Sequence, residues 1–482
     1  MTVKEEPVLI VGAGAAGEIV AEVLSKNPKK EFKPVGFVDD DPTKQKQSIW
    51  GLPVLGARED IPTLVKRECI KEIIIAIPSA SGIVISEIIE ICHKTKARLK
   101  ILPGFYNLIT GKIQTDRIRD VEVDDLLGRE PVCLDIDEIA GYLTGKRVLV
   151  TGAGGSIGSE ICRQIAKFNP EKLILLGRGE NSIYEIDTEL KELYPDLARK
   201  AEIGDIKDRE RMNRIFDLYR PEVVFHAAAH KHVPFMEQCP DEAVKNNIIG
   251  TRNTAESAYR AGTGIFVLIS TDKAVNPTSF MGATKCVAEM IIQNMNSRGG
   301  TQFVAVRFGN VLGSRGSVLP LFKRQIARGG PITITHPDMV RYFMTTMEAA
   351  QLVIQAGAQA NGGETFILDM GQPVNIVDLA KKLVRLSGFV PDKEIPIRFT
   401  GIRPGEKIVE QLVGEKEGII PTKHKRIFAV SEKKKVFEGL DYLVNTLQNP
   451  SFSYQENDII ALLQTVIPSF KNKHIRKVST SG

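Results

Sequence analysis

Two segments of this sequence place an apolar, β-branched run directly before a glycine loop and a helical pattern. The first reads PVLIVGAGAAGEIVAEVL from residue 7, and the second reads KRVLVTGAGGSIGSEICRQIA from residue 146. A buried strand, a tight glycine turn and a helix in this order are typical of the unit that opens a nucleotide-binding α/β sheet. The chain has 482 residues, which is enough for two such domains.

Further strand candidates follow both glycine loops at the spacing of parallel βαβ units. After the first loop come PVGFV and EIIIAIP, and after the second come KLILLG, AEIGD, EVVFHAAAH, GIFVLIST and QFVAVRFGN. We therefore predict an α/β protein with two tandem Rossmann-like domains, the second a doubly wound parallel sheet with a smaller substrate-binding lobe. The predicted ranges are 1–103 for a non-catalytic N-terminal domain, 104–144 for a connector, 145–430 for the catalytic domain with its lobe mainly at 313–430, and 431–482 for a C-terminal helical tail.

Composition excludes several other classes of protein. The net charge is only +5, and much of the excess lies in SEKKK at 431–435 and KNKHIRK at 471–477, so no nucleic-acid partner is predicted. The most apolar stretch, 73–91, is broken by Pro78 and Glu87, so we predict no integral membrane segment in this chain. Glu5 and Glu6 come early and a strand pattern follows them, so we predict no secretory signal. Its six cysteines are scattered, which fits reduced thiols in the cytoplasm.

The second glycine loop is the predicted cofactor site. Gly152, Gly155 and Gly158 would let the backbone approach a pyrophosphate, and the helix that follows would supply amide donors. The alternative is that these glycines serve strand–helix packing only. The other predicted cofactor contacts are Ser156, Ile157, Arg178, Asp205, Ile206, Ala227, Ala228, Ala229, Asn247 and Lys285.

The end of the second strand bears on which cofactor is bound. An acidic residue there would read the 2′-hydroxyl of NAD, whereas this sequence has Arg178, which favours the 2′-phosphate of NADP. The guanidinium could instead stack on adenine or face solvent, so the predicted cofactor is NAD or NADP. Asp205 and Ile206 are expected to bracket the adenine.

The first glycine loop has a weaker context. Gly12, Gly14 and Gly17 fit the dinucleotide fingerprint, and Asp39–Asp41 follow at a suitable distance. Only a short sheet follows, however, without a catalytic helix. The domain could bind a nucleotide, or it could be vestigial, regulatory or an assembly domain, and we favour a non-catalytic role.

Three histidines, His226, His230 and His232, lie in the stretch FHAAAHKHVP. Their spacing could suggest zinc, but no cysteine or acidic cluster stands near them to complete a tetrahedral site. We predict that they belong to a strand end and its loop, and that no metal is bound.

The stretch STDKAVNPTSFMGATK at 270–285 carries the strongest chemical signal. A buried strand ends there, so Thr271, Asp272 and Lys273 emerge at the edge where open α/β sheets bind ligands. Met281 and Lys285 are one helical turn apart and face the same crevice. Many dinucleotide-dependent enzymes of this layout have a proton-accepting tyrosine at the methionine position, and a thioether cannot take a proton. Either the chemistry is lost or another group has taken over.

These residues resemble the extended short-chain dehydrogenase/reductases, and specifically the nucleotide-sugar 4,6-dehydratases of bacterial polysaccharide and glycan biosynthesis. The resemblance covers about 120–430 and rests on TGAGGSIGSE, HAAAHKHVP, NNIIGT, STDKAVNPT, MGATK, RFGNVLGSRGSVLPLF and RPGEK. Methionine in place of this tyrosine is typical of the configuration-retaining UDP-N-acetylglucosamine 4,6-dehydratases, which the chain therefore resembles. Long members of that family begin with transmembrane helices. The expected location is therefore the cytoplasm, or the inner face of the membrane if this sequence belongs to a longer membrane protein.

The resemblance implies transient oxidation at carbon 4, loss of water across carbons 5 and 6, and return of the hydride to carbon 6 with retention at carbon 5. The cofactor is then regenerated and stays tightly bound. We assign Asp272 as the acid toward the 6-hydroxyl, Lys273 as the base at carbon 5, Thr271 as the partner of the 4-hydroxyl and Lys285 as the lysine beside the nicotinamide ribose. The proton of the 4-hydroxyl needs a route that avoids Met281, through Asp272 or through water.

The UDP-sugar partner is assigned to a further set of residues. Guanidinium groups suit a diphosphate, although each arginine could instead serve a surface ion pair. Asn247 is expected to order the site through backbone bonds. In relatives the helix of Met281 and Lys285 is commonly a dimer face, so a homo-oligomer is expected. The predicted substrate contacts are Met281, Asn310, Arg315, Arg341, Arg403 and Glu406.

Two other functions stay open. A UDP-hexose 4-epimerase shares the scaffold, but it would not need Asp272 and Lys273 and would normally keep the tyrosine. A catalytically silent nucleotide sensor is supported by Met281 alone.

Overall fold

The computed structural model describes residues 5–26, 32–102, 118–122, 124–125, 129, 132–415, 417–431 and 437–470. The chain divides into two compact units. The first contains the elements before residue 132 together with 325–332 and 380–397, and the second contains the rest. Of the predicted connector, the part from 104 to 117 lies outside the described residues, as do the charged runs at 432–435 and 471–477.

The first unit has a five-stranded sheet in the order β2-β1-β5-β6-β7, with parallel pairing except between β6 and β7. Its opening strand is buried from Val8 to Val11, because both of its faces are covered by helices. The elements are β1 Glu6–Val11, α1 Ala15–Ser25, β2 Phe32–Val38, β3 Ser48–Ile49, β4 Leu52–Pro53, α2 Ile61–Arg67, β5 Glu72–Ile75, α3 Gly82–Cys92, β6 Arg98–Ile101 and β7 Arg119–Asp120.

The second unit is built on a nine-stranded sheet in the order β10-β9-β8-β11-β12-β13-β18-β22-β21. The first seven strands in this order are parallel, and all six predicted strands are among them. The strands of the sheet are β8 Arg147–Thr151, β9 Lys172–Gly177, β10 Arg199–Ile203, β11 Val223–His226, β12 Ile265–Ile269, β13 Gln302–Arg307, β18 Thr365–Leu368, β21 Ile419–Pro421 and β22 Ile427–Val430. The predicted fold class is confirmed.

Helices and short strands complete the second unit. A π-helix at Lys245–Ile249 leads into α10, and a 3-10 turn at Asp272–Ala274 follows β12. The helices are α4 Ile136–Leu143, α5 Ser156–Ala166, α6 Glu180–Leu193, α7 Arg209–Tyr219, α8 Val233–Gln238, α9 Pro240–Val244, α10 Gly250–Ala261, α11 Phe280–Asn296, α12 Val318–Ala327, α13 Thr346–Ala358, α14 Ile376–Leu386, α15 Leu440–Gln448 and α16 Glu456–Gln464. The short strands are β14 Asn310–Val311, β15 Ile332–Ile334, β16 Val340–Arg341, β17 Phe343–Met344, β19 Val374–Asn375 and β20 Ile397–Phe399. α12, α14, β15 and β20 cross the boundaries between the two units.

The segment predicted as a substrate-binding lobe, 313–430, is only partly separate from the sheet. β18, β22 and β21 extend the nine-stranded sheet, and α13 contributes fully buried residues such as Leu352 and Val353 to the same core as β8. Small two-stranded pieces belong to the irregular remainder: β16 pairs with β19, and β17 pairs with β14, which lies just before this segment.

The helix that was expected to be a dimer face, α11, lies inside the second unit. Twelve of its 17 residues are buried. The predicted C-terminal tail forms α15 and α16, whose apolar residues join the same core, and Phe280 packs edge-to-face on Phe470 at 5.8 Å. The expectation of a dimer face on α11 is therefore wrong, because this chain covers the helix itself. The homo-oligomer remains a prediction.

Candidate active site

The second glycine loop joins β8 to α5 in a conformation that requires glycine. Gly152 has φ of +66°, and a Cβ there would lie 2.8 Å from the amide nitrogen of Ala228. A Cβ on Gly158 would lie 2.1 Å from the carbonyl oxygen of Gly152, so the helix could not approach the loop. Gly155 is the N-cap of α5, so free amide groups of the first turn point toward the loop. The loop forms an anion-binding cradle that side chains would fill.

A groove runs from this loop along the carboxyl ends of β9, β10 and β11. It is lined by glycines 152, 154, 155 and 177, by Arg178, Asp205 and Ile206, and by Ala227–Ala229. The guanidinium of Arg178 is exposed and lies 3.7 Å from the carboxylate of Asp205. A glycine cradle at a helix N-terminus, small alanines and two polar groups at the far end fit a dinucleotide such as NAD or NADP.

The first glycine loop has a different arrangement. Gly12 and Gly17 approach each other closely, since a Cβ on Gly17 would lie 2.0 Å from the carbonyl oxygen of Gly12. Asp39, which a dinucleotide site would use to bind a ribose, accepts bonds from the amide of Ala13 at 2.8 Å and from Lys44 Nζ at 3.1 Å. Its carboxylate is thus already used within the loop.

His226 is a core residue at the end of β11. Its ring nitrogens bond the hydroxyls of Thr151 at 2.8 Å and Thr251 at 3.1 Å, and burial lowers its pKa to about 3. Burial also lowers the pKa of His230 and of His232. Within the described residues, no group of three or more His, Cys, Asp or Glu side chains could hold a metal ion.

Asn247 lies in the π-helix and ties the loop after β11 to α11. Its Oδ1 accepts the amide of His230 at 2.8 Å, and its Nδ2 donates to the carbonyl of His230 at 3.0 Å and to Thr284 Oγ1 at 3.1 Å. The asparagine therefore fixes the loop that lines both the glycine groove and the neighbouring cavity.

A cavity adjoins the groove and shares Ala227, Ala229 and His230 with it. Thr271, Lys273, Met281, Lys285 and Asn310 line it, as does Ile157 from the helix after the glycine loop. Predicted cofactor, catalytic and substrate residues thus meet at one edge of the sheet.

Lys285 and Met281 lie on the wall that α11 contributes. Lys285 is 4% exposed, and its Nζ donates to the carbonyl of Ile269 at 2.7 Å. Burial lowers the pKa of Lys285 to about 8, and the nearby carboxylate of Glu289 opposes this shift. Met281 is 2% exposed and packs with Met236 and Ala243, so the thioether is an apolar part of the wall.

Thr271, Asp272 and Lys273 form a connected triad in the 3-10 turn after β12. The hydroxyl of Thr271 donates to Asp272 Oδ1 at 2.8 Å, and Lys273 Nζ donates to the same oxygen at 3.0 Å and to Asn310 Oδ1 at 3.1 Å. Thr271 and Lys273 line the cavity, whereas Asp272 is fully buried and its Oδ2 has no hydrogen-bond partner in the structure. The turn therefore brings the side chains of Asp272 and Lys273 into contact, a pairing that the sequence left open.

Three charged residues near this triad were missed by the sequence reasoning. Glu410 Oε1 lies 3.8 Å from Lys273 Nζ, and Glu410 is 5% exposed. Lys231 lines the cavity and donates to Ser314 Oγ at 3.3 Å. Lys407 donates to the carbonyl of Val275 at 2.9 Å. Lys231 stands between His230 and His232, so that stretch held a usable signal, whereas nothing in the local sequence marks Glu410.

The three arginines predicted to contact a diphosphate are not among the residues that line this cavity. Arg315 is exposed and bonds the glycine loop, with its amide on Ser156 Oγ at 3.0 Å and its guanidinium on the carbonyl of Gly154 at 3.2 Å. Arg403 is exposed, and its amide donates to Glu406 Oε2 at 3.2 Å in the RPGEK turn.

Arg341 requires a correction. It is 7% exposed, and its guanidinium donates to the carbonyls of Val340, Lys407 and Ile408 at 2.7, 2.7 and 2.8 Å. Since three of its five N–H groups bond backbone carbonyls and the side chain is buried, Arg341 holds the 406–410 loop in place. The predicted diphosphate contact is not supported.

Residues 148–432 match the family model described as polysaccharide biosynthesis protein. The chain belongs to the polysaccharide biosynthesis protein family. Residues 3–103 match a second model, described as a CoA-binding domain. The family match spans the glycine groove, the triad and Glu410.

Curated members of this family are similar over most of the chain. The probable polysaccharide biosynthesis protein EpsC of Bacillus subtilis is 55% identical over 85% of this chain and 68% of its own length. The capsular polysaccharide biosynthesis protein CapD of Staphylococcus aureus is 50% identical over 93% of this chain and 75% of its own. An inverting UDP-N-acetylglucosamine 4,6-dehydratase of Campylobacter jejuni is 31% identical over 63% of this chain and 88% of its own.

Two solved structures are similar in fold. Pen from Bacillus thuringiensis is 33% identical, with a TM-score of 0.55 over 64% of this chain and 99% of its own. DesIV of Streptomyces venezuelae, a dTDP-glucose 4,6-dehydratase solved with NAD, shares the fold at 20% identity and a TM-score of 0.51. This polysaccharide biosynthesis protein is thus an extended short-chain dehydrogenase/reductase of the nucleotide-sugar dehydratase and epimerase type. Within the described residues no helix is long and apolar enough to cross a membrane.

Proposed function

We propose that this protein is an NAD(P)-dependent nucleotide-sugar 4,6-dehydratase. Its proposed reaction converts UDP-N-acetylglucosamine to UDP-2-acetamido-2,6-dideoxy-4-keto-hexose with retention at carbon 5. The observation that carries the proposal is the bonded triad of Thr271, Asp272 and Lys273 on a cavity that adjoins the glycine groove. A hydroxyl, a carboxyl and an amine in contact can move the protons that elimination of water requires.

The residues of the groove would hold the cofactor. The chemistry that NAD(P) supplies when bound is the acceptance of a hydride from carbon 4 and its return to carbon 6. Gly152, Gly155 and the first turn of α5 suit its pyrophosphate, and Lys285 suits the nicotinamide ribose, because its Nζ is fixed on the carbonyl of Ile269 at the cavity wall.

The triad offers a route for the proton of the 4-hydroxyl that does not use Met281. Thr271 faces the cavity and can accept this proton while it passes its own to Asp272 Oδ1, 2.8 Å away. Asp272 is buried, so it exchanges protons with the substrate through Thr271 rather than by direct contact. Asp272 then returns this proton through Thr271 to the 6-hydroxyl, which departs as water. Asp272 is thereby back in its starting state.

Lys273 is suited to the proton on carbon 5. Its Nζ lies on the cavity wall, where Asp272 and Asn310 hold it at 3.0 and 3.1 Å. A 4-ketone acidifies the neighbouring carbon 5, and an amine can remove and return that proton. A single base that acts from one face gives retention.

Incubation with UDP-N-acetylglucosamine and analysis of the product by mass spectrometry and NMR test the proposal. A 4-keto product that has lost one water is expected. A product of unchanged mass with an inverted carbon 4 would instead identify an epimerase, and the absence of any product would favour a silent nucleotide binder. The Lys273→Ala variant, prepared in parallel, excludes a contaminating activity.

A further inference from the structure

Glu410 brings a second carboxylate to the proposed base from a distant loop. Its Oε1 lies 3.8 Å from Lys273 Nζ and 4.0 Å from a guanidinium nitrogen of Arg341. The residue is 5% exposed, and its Oε2 has no hydrogen-bond partner among the residues that the structure describes. An unpartnered carboxylate oxygen at this depth is costly, so its position beside Lys273 calls for a functional reason.

The backbone holds Glu410 in this position. Val409, the residue before it, forms a parallel bridge with Val340, and the amide of Val340 donates to the carbonyl of Ile408 at 3.1 Å. The three carbonyl bonds of Arg341 fasten the same loop. The approach of Glu410 to Lys273 therefore belongs to the folded loop and does not depend on a long, free side chain.

Lys273 is surrounded by charged groups of both signs. Among the described residues, the acidic partners within 4.0 Å of Lys273 Nζ are Asp272 and Glu410. Positive charge comes from Lys231 and Lys407, each of which interacts with Lys273 electrostatically, and from Arg341, which interacts with Lys407. Burial lowers the pKa of both Lys231 and Lys407, so these side chains are poorly solvated.

In the proposed reaction Asp272 is protonated when Lys273 takes the proton of carbon 5. A neutral Asp272 no longer balances the new ammonium, which then faces up to three cations in a poorly solvated site. Charges in such surroundings interact far more strongly than in water. Of the carboxylates that the described residues bring within 4.0 Å of Lys273 Nζ, Glu410 is then the one that can still balance its charge.

We propose that Glu410 is a positioning residue for proton transfer at carbon 5, and that its carboxylate stabilises the ammonium of Lys273 while Asp272 carries the proton of the 4-hydroxyl. This inference rests on the proposed function. It assigns different tasks to the two buried carboxylates: Asp272 stores a proton, and Glu410 balances the charge that forms on Lys273.

The test follows the incorporation of solvent deuterium at carbon 5 during turnover of UDP-N-acetylglucosamine in deuterated buffer. Oxidation at carbon 4 then precedes the step of Lys273, so Asp272 carries the proton of the 4-hydroxyl when the proton of carbon 5 is removed. In Glu410→Gln we expect the exchange to slow by about tenfold or more on the high-pH plateau of the profile. We also expect the rising limb of its pH profile to move to lower pH, because an ammonium without its counter-charge loses its proton more readily.

Two further variants complete the design. Glu410→Asp keeps the carboxylate on a shorter arm, so its exchange rate and pH profile should lie between those of the unaltered protein and Glu410→Gln. Glu415→Gln removes an exposed carboxylate from the same segment and should leave both unchanged. Thermal unfolding of each variant shows whether the fold is kept.

An unchanged exchange rate and pH profile in Glu410→Gln would overturn the inference. A loss of rate that is equal at every pH, and that Glu410→Asp shares in full, would also overturn it, because that pattern indicates a structural role. If the unaltered protein makes no 4-keto product and exchanges no proton, the proposed function itself fails and takes this inference with it.

Discussion

The hydroxyl of Thr271 and the Nζ of Lys273 donate to one and the same oxygen, Oδ1 of Asp272, at 2.8 and 3.0 Å. This shared oxygen connects the residue suited to the 4-hydroxyl with the residue suited to carbon 5. It offers an explanation of how a site with methionine at position 281 could still move protons, because the carboxylate lies behind both groups and can serve each in turn.

Thr271→Val tests the proton route. Valine has nearly the same shape but cannot accept or pass a proton, so formation of the 4-keto product should slow by roughly a hundredfold or more. Thr271→Ser keeps the hydroxyl and is the matched control, with a rate expected near that of the unaltered protein. Initial rates at saturating substrate measure the effect, and a rate in Thr271→Val equal to that of Thr271→Ser would exclude the relay.

Lys273→Ala tests the base at carbon 5. Without the amine, incorporation of solvent deuterium at carbon 5 should be abolished, as measured by NMR of the sugar. Lys273→Arg should behave in the same way, because a guanidinium keeps its charge but cannot act as a base near neutral pH. Unimpaired exchange in either variant would remove Lys273 from this role.

Lys285→Met tests the cost of a buried ammonium. Burial lowers the pKa of Lys285 to about 8, so below this pH the folded chain holds a charge that the unfolded chain solvates better. This penalty is relieved as pH rises from about 8 towards the ordinary pKa of lysine. We expect Lys285→Met to raise the free energy of unfolding near pH 7 by on the order of 1–3 kcal/mol.

Denaturant unfolding at pH 7 and at pH 9.5 measures both effects. The unaltered protein should gain stability between the two pH values relative to Lys285→Met. A variant that is less stable at pH 7 and shows the same pH dependence would contradict the argument, since it would mean that the bond to Ile269 outweighs the desolvation of the ammonium.

Arg341→Lys tests the structural task of that guanidinium. A lysine cannot reproduce three bonds to the carbonyls of Val340, Lys407 and Ile408, so the free energy of unfolding should fall by about 2–4 kcal/mol. The matched change Arg403→Lys lies on an exposed side chain and should alter it by less than about 0.5 kcal/mol. Equal stabilities in denaturant titration would restore Arg341 as a candidate for the substrate diphosphate.

The sequence determined the features that depend on neighbouring residues. The two strand–glycine–helix units, the six strands around the second one and the position of Thr271 at a sheet edge follow from local patterns, because burial period and glycine conformation act over a few residues. Met281 and Lys285 were placed on one wall by helical spacing alone, and both line the cavity.

Only the tertiary structure decided how distant charges meet. The 3-10 turn brings Asp272 and Lys273 together, a loop held by Arg341 carries Glu410 to the same lysine, and α15 and α16 cover the helix that sequence reasoning left exposed as a dimer face. None of these follows from spacing. The pairing of Asp272 with Lys273 depends on the side-chain directions that the turn sets, and the other two depend on where the chain returns after a long excursion. The free energy that fixes these positions comes from burial and from bonds to backbone carbonyls, which exist only in the folded chain.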